Sequence, residues 1–173
     1  MSRDVIGDQA SGDQGVADQP VADQASTSDV ATGQGCTDAA VQQCGAPTQC
    51  GPVVATSVVA GNPPAASGGT IAPGLYLLTG VNLYGNAGAA WSASFQLGAS
   101  FGGATFAEYS YADGMQQSSI LGSYAVAGST LSREVSCPTT VAYVNPYTAT
   151  TSGLIIYRSI GDAGTYELVT TKQ

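Results

Sequence analysis

The chain has 173 residues, of which 9% are charged: twelve are acidic, four are basic and none is histidine. That length accommodates one domain with a tail or two small domains, and the formal charge of −8 argues against a nucleic-acid partner, whose affinity rests on Lys and Arg neutralising phosphates. Without histidine the commonest general base and metal ligand is missing, so few enzyme mechanisms survive and neither a metal nor any other cofactor is expected.

The charge is unevenly placed. Residues 1–50 carry seven acids against one base, Arg3, whereas residues 51–173 carry five acids against three bases. All thirteen aromatic residues lie between Tyr76 and Tyr166, so a packed core is expected only there. Within the first segment Asp-Gln recurs at positions 8, 13, 18 and 23. A period of five matches neither the helix nor the strand repeat, so no single apolar face can be buried. Asp, Gln, Gly, Ala and Ser without aromatics also cannot bury enough surface to offset the entropy of ordering. Residues 1–35 therefore read as a disordered acidic spacer. Binding of calcium or of basic partners is the rival role, but calcium loops cluster carboxylates at alternate positions and these stand singly.

Residues 36–69 hold a cysteine cluster and a connector. Cys36, Cys44 and Cys50 lie close together and Cys137 lies far away. Four cysteines in a small, loop-rich chain read as two disulfides made in an oxidising compartment, which places the protein outside the cell or at its surface. The spacing lacks the close pairs of structural zinc sites. Cys137 is expected to bond one of the three clustered cysteines, with the other two paired locally, and the spacing allows any of the three. The opening MSRDVIGDQ has neither an apolar h-region nor a lipobox, so a leader removed from the chain, or a start elsewhere, is needed to reconcile it with export. No run approaches the roughly 20 apolar residues of a membrane helix, and no transmembrane segment is expected. Pro63, Pro64 and the neighbouring glycines mark the rest of this region as a connector.

Residues 70–173 carry a rhythm of β-branched and aromatic runs separated by turn residues, near 74–84, 91–98, 103–111, 116–126, 129–136, 146–151, 153–159 and 164–172. The clearest is WSASFQL, in which Trp91, Ala93, Phe95 and Leu97 alternate with Ser92, Ser94 and Gln96, the pattern of a half-buried antiparallel strand. Alternation also puts Leu75, Leu77, Val81 and Leu83 on one face, with Gly80 marking a bulge or bend, and puts Ile120, Tyr124 and Val126 on a face with Gly122. GASFGG reads as a turn, and 137–146 as the one long connection. No stretch carries an apolar stripe at helical spacing. The domain is therefore expected to be all-β, an antiparallel meander of about eight strands closed into a small barrel, because closure removes exposed edges. A two-sheet sandwich is the alternative.

The stretch GGTIAPGLYLLTGVNLYG, the Cys-Pro loop, the hairpin PYTATTSGLIIY and the terminal TYELVTTKQ resemble the uncharacterised lipocalin-like domains of exported bacterial lipoproteins. The likeness spans roughly residues 68–173 and rests on strand patterns. Tyr76 stands where the first-strand G-x-W motif of lipocalins has Trp. The resemblance implies the barrel fold more than a ligand, a spacer that tethers it, and a lipid-anchored cysteine upstream.

Chemistry is sparse. A catalytic carboxylate pair could be drawn from Glu108, Asp113, Glu134, Asp162 and Glu167, but Asp113 and Asp162 sit in turn contexts, and no phosphate-binding loop is present. A non-enzymatic role is expected. In TLSREVS the alternation that turns Leu131 and Val135 inward also turns Arg133 inward, and in ATFAEYS Glu108 shares the face of Phe106. Two opposite inward charges are tolerable as a pair, unless a bulge or the barrel end returns them to solvent. The expected role is binding of a small neutral or apolar ligand inside or at the mouth of the barrel, by Trp91, Phe95, Phe106 and Tyr124 with Arg133 and Glu108 fixing orientation. A structural or adhesive surface domain with a filled core is the alternative. The oligomeric state is left open.

Overall fold

The computed structural model describes residues 44–45, 47, 49–85, 93–112 and 118–173. The spacer at 1–35, Cys36, Trp91 and Asp113 lie outside the described residues.

Two short strands, β1 (Val54–Ala55) and β2 (Ser57–Val59), precede eight longer ones: β3 (Gly74–Tyr84), β4 (Ser94–Gly102), β5 (Thr105–Ala112), β6 (Ser118–Ala127), β7 (Thr130–Cys137), β8 (Val141–Ala149), β9 (Gly153–Ser159) and β10 (Thr165–Lys172). From β3 to β10 each strand pairs antiparallel with its sequence neighbour, and β10 pairs back onto β3. The result is a closed eight-stranded barrel rather than a sandwich. Two-residue turns join β4 to β5 and β6 to β7. Gly128, at φ 57, supplies the left-handed backbone that such a hairpin turn needs.

Alternation locates most of the interior, and the exceptions have local causes. The register of β10 on β3 shifts between Val169 and Thr170, skipping Thr79. That bulge reverses the inside–outside phase of β3, so Tyr76 and Leu78 join Val81 and Leu83 in the main core cluster, while Leu75 is half-buried and Leu77, though buried, stands outside that cluster. On β6, Val126 lies beyond the packed layer and is 45% exposed. GASFGG is strand up to Gly102, with only Gly103 and Ala104 turning. The supposed connection 137–146 is mostly β8, whose first four residues are all exposed and so carry no alternation.

The barrel has two unlike ends. At one, Phe101 sits at the centre of an aromatic cluster, edge-on to Tyr76 at 5.6 Å and to Tyr124 at 5.1 Å and stacked with Phe106 at 6.2 Å. Residues 68–72 close this end: the Tyr76 and Tyr147 hydroxyls donate to the carbonyls of Ala72 and Gly69, and Ile71 is buried in the core. At the other end the wall splays twice. β3 and β4 pair only over Gly74–Leu77 and Gly98–Phe101; beyond that, β1 pairs with β4 and β2 runs parallel to β3, filling the gap. β8 and β9 pair only over three residues each, and past them the Asn145 amide donates across the gap to the Tyr157 carbonyl at 3.2 Å.

A strap leads into β1 along the outside of β4. The Gly51 N–H donates to the Leu97 carbonyl at 3.2 Å, and Gln96 Nε2 donates to the Gly51 carbonyl at 3.0 Å. The strap is held covalently as well, since Cys44 is bonded to Cys137 at the end of β7. Cys50 is also disulfide-bonded. The expected tie between Cys137 and the cysteine cluster is therefore present, with Cys44 as the partner. Gly98 permits the close approach: a Cβ there would stand 2.3 Å from the Gln49 carbonyl oxygen and 3.2 Å from Cys50 Sγ. Gly98→Ala is therefore expected to cost about 1–3 kcal/mol by overpacking, measured by chemical unfolding. An unchanged midpoint would mean that the strap does not press on β4.

Candidate functional site

The splayed end contains a pocket of about 450 Å³, within the usual range for small-ligand sites. Its apolar wall includes Phe95, Ile120, Ile160 and Tyr166, and its polar groups include Glu108, Arg133, Arg158, Asn145, Ser110 and Ser118. Phe95 and Tyr166 meet edge-on with ring centroids 4.9 Å apart. The three charged side chains are placed by alternation. Glu108 follows Phe106 on β5, Arg133 lies between Leu131 and Val135 on β7, and Arg158 follows Leu154 and Ile156 on β9.

One buried carboxylate holds two guanidiniums. Arg133 Nη1 donates to Glu108 Oε2 at 2.6 Å, and Arg158 Nη2 donates to Glu108 Oε1 at 2.7 Å. The side chains of Glu108 and Arg133 are each 2% exposed and that of Arg158 is 30% exposed. Arg133 Nη2 also donates to Asn145 Oδ1 at 3.1 Å, and its guanidinium lies 5.5 Å from the Phe106 ring centroid and 5.6 Å from that of Tyr143. Cation–π contact of this kind favours a charge withdrawn from water. The Nε atoms of both arginines are buried without a hydrogen-bond partner.

Burial pushes the Glu108 carboxyl up, but the charges of Arg158 and Arg133 and their hydrogen bonds outweigh it and hold the group below the ordinary glutamate range. Burial pulls the Arg133 guanidinium down, opposed by Glu108. The consequence for acid stability has a definite sign. A carboxyl whose folded pKa is depressed stabilises the fold above its unfolded value, about 4.3, and this contribution disappears as pH falls through the folded value. Thermal midpoints are therefore expected to fall below about pH 4.3, and Glu108→Gln is expected to flatten that acid limb. An acid limb of equal steepness in the variant would contradict it.

The structure divides the residues that the sequence pointed to. Phe95, Glu108 and Arg133 line the pocket. Phe106 and Tyr124 do not: they belong to the aromatic cluster at the closed end, and only Phe106 touches the site indirectly, beneath Arg133. The expectation of a neutral or apolar ligand counted Arg133 and Glu108, which cancel, and missed Arg158. Tyr143, Asn145 and Tyr166 were missed as well. The signal for Arg158 was present in LIIYRS, where it stands two residues after inward Ile156. Among the described residues the other candidate carboxylates do not converge on the pocket. Glu134 and Asp162 are exposed, and Glu167 points out of the barrel wall between inward Tyr166 and Leu168, accepting from Asn82 Nδ2 at 2.7 Å and the Tyr84 hydroxyl at 3.1 Å.

No family model matches the chain, and no curated protein or solved structure matches it.

Proposed function

We propose that this protein is an exported, surface-tethered, lipocalin-like barrel that binds a small ligand at its splayed end. The observation that carries this reading is the asymmetry of the interior: one end is packed with aromatic rings, while the other holds a pocket of about 450 Å³ walled by Phe95, Ile120 and Tyr166. A structural domain gains nothing from leaving such a space, since filling it adds burial and dispersion. Export is supported by the Cys44–Cys137 bond, which belongs to oxidising compartments, and tethering by the repetitive acidic segment ahead of the domain. Binding is favoured over catalysis because Glu108 is already engaged by two guanidiniums, leaving it ill suited to accept or deliver a proton near neutral pH.

The test is displacement of a fluorescent hydrophobic dye such as anilinonaphthalene sulfonate. Ser118 lines the pocket and Ser123 is exposed on the outside of the same strand. Ser118→Trp is expected to fill the space and abolish saturable dye binding, while Ser123→Trp leaves it intact. Equal binding by both variants, or none by the parent chain, would overturn the reading.

A further inference from the structure

We propose that the ligand is an amphiphile with a single anionic headgroup, a carboxylate, which seats against Arg158 and Arg133 while its apolar chain lies on Phe95, Ile120 and Tyr166. This rests on the preceding reading that the splayed end is a binding site, and it replaces the neutral ligand expected from the sequence.

Charge counting comes first. Among the described residues the pocket holds two guanidiniums and one carboxylate, a surplus of one positive charge within an apolar wall, on a chain whose formal charge is −8. A surplus charge removed from water is costly unless paired, and Glu108 has already given one oxygen to each arginine. A monoanion restores neutrality, whereas an uncharged ligand would desolvate the surplus without answering it and a cation would add to it.

Hydrogen-bond counting agrees. Arg133 is 2% exposed, and its Nε, like that of Arg158, has no acceptor. Buried donors are normally satisfied, so two orphaned guanidinium N–H groups in one pocket point to an acceptor supplied from outside the chain. Nε with a neighbouring Nη forms the planar fork that matches two carboxylate oxygens. Arg158 is the accessible member, with 30% of its side chain exposed, and it stands beside the gap where β8 and β9 no longer pair. The headgroup therefore meets Arg158 first, at the rim, and the chain runs inward.

Calorimetric titration of the full, oxidised chain with octanoate, octanol and octylamine tests this. Octanoate is expected to bind one to one and about 10- to 100-fold more tightly than octanol, the scale of a hydrogen bond to a charged group, with octylamine the weakest. Arg158→Gln is expected to remove that advantage, bringing octanoate to the affinity that the same variant shows for octanol. Arg158→Lys, which keeps the charge without the fork, is expected to fall between, and thermal midpoints confirm that both variants fold. Equal affinities for octanoate and octanol, or an octanoate affinity indifferent to Arg158→Gln, would overturn the headgroup assignment while leaving the binding site standing. Absence of saturable binding for all three would overturn both.

Discussion

Glu108→Leu is expected to lower unfolding free energy by about 3–5 kcal/mol, the cost of leaving a buried charge without its partner. Arg133 is the charge left behind: its guanidinium is buried, and its ion pair among the described residues is with Glu108, at 2.6 Å. For a domain of this size such a loss is a large share of the total, about 5–15 kcal/mol. The double variant Glu108→Leu with Arg133→Met is expected to recover most of it, because well-packed apolar residues replace a buried ion pair at little net cost. Arg158 can then turn to solvent from its half-buried position. Chemical unfolding of the two single variants and the double variant measures the coupling directly. Additive losses would show that the pair does not act as a unit.

The second large effect concerns the bond between Cys44 and Cys137, which are separated by 93 positions. Closing a loop of that length removes unfolded-state entropy equivalent to about 4.5 kcal/mol. Replacing both cysteines by Ala is expected to lower stability by about 2–5 kcal/mol. The unfolded chain, freed of the link, becomes more expanded, so the denaturant dependence of the free energy should steepen. A fall in midpoint with no change of slope would place the loss in native packing of the strap instead. The pocket lies on the inner face of the barrel and the strap on the outer face of β4, so ligand binding by the residual folded fraction should be retained.

Much of the barrel was legible because period-two alternation is a direct consequence of a wall with one buried face. It located Leu97, Leu131, Val135 and Ile120 in the core, and it turned Glu108 and Arg133 inward. It failed where the backbone broke phase. A bulge at Thr79, beside the Gly80 that marks a break in the sequence, exchanged the faces of Tyr76 and Leu75, and the glycine alone does not say which residue is skipped. It failed again on β8, where Val141 to Val144 are all exposed at the rim, so Tyr143 and Asn145 carried no visible pattern.

The division between the two ends was not legible at all. Alternation says that Phe95, Phe106 and Tyr124 face inward, but not at what height along the barrel axis they stand. Height follows from strand register and stagger, which pair Phe106 with Phe101 but Phe95 with Ala112 at the other end of the same two strands. The same limitation hid the site's composition. Arg158 reaches Glu108 across the interior from a strand 50 positions away, and only closure of the sheet brings them together.

Amide chemical-shift mapping of the full chain during titration with octanoate tests whether ligand enters at the splayed end. Saturable shifts are expected at Phe95, Ser118, Ile120, Asn145 and Arg158, with Tyr76, Phe101 and Tyr147 unmoved. Shifts centred on the aromatic end, or spread over the outer face with the pocket residues unmoved, would contradict it.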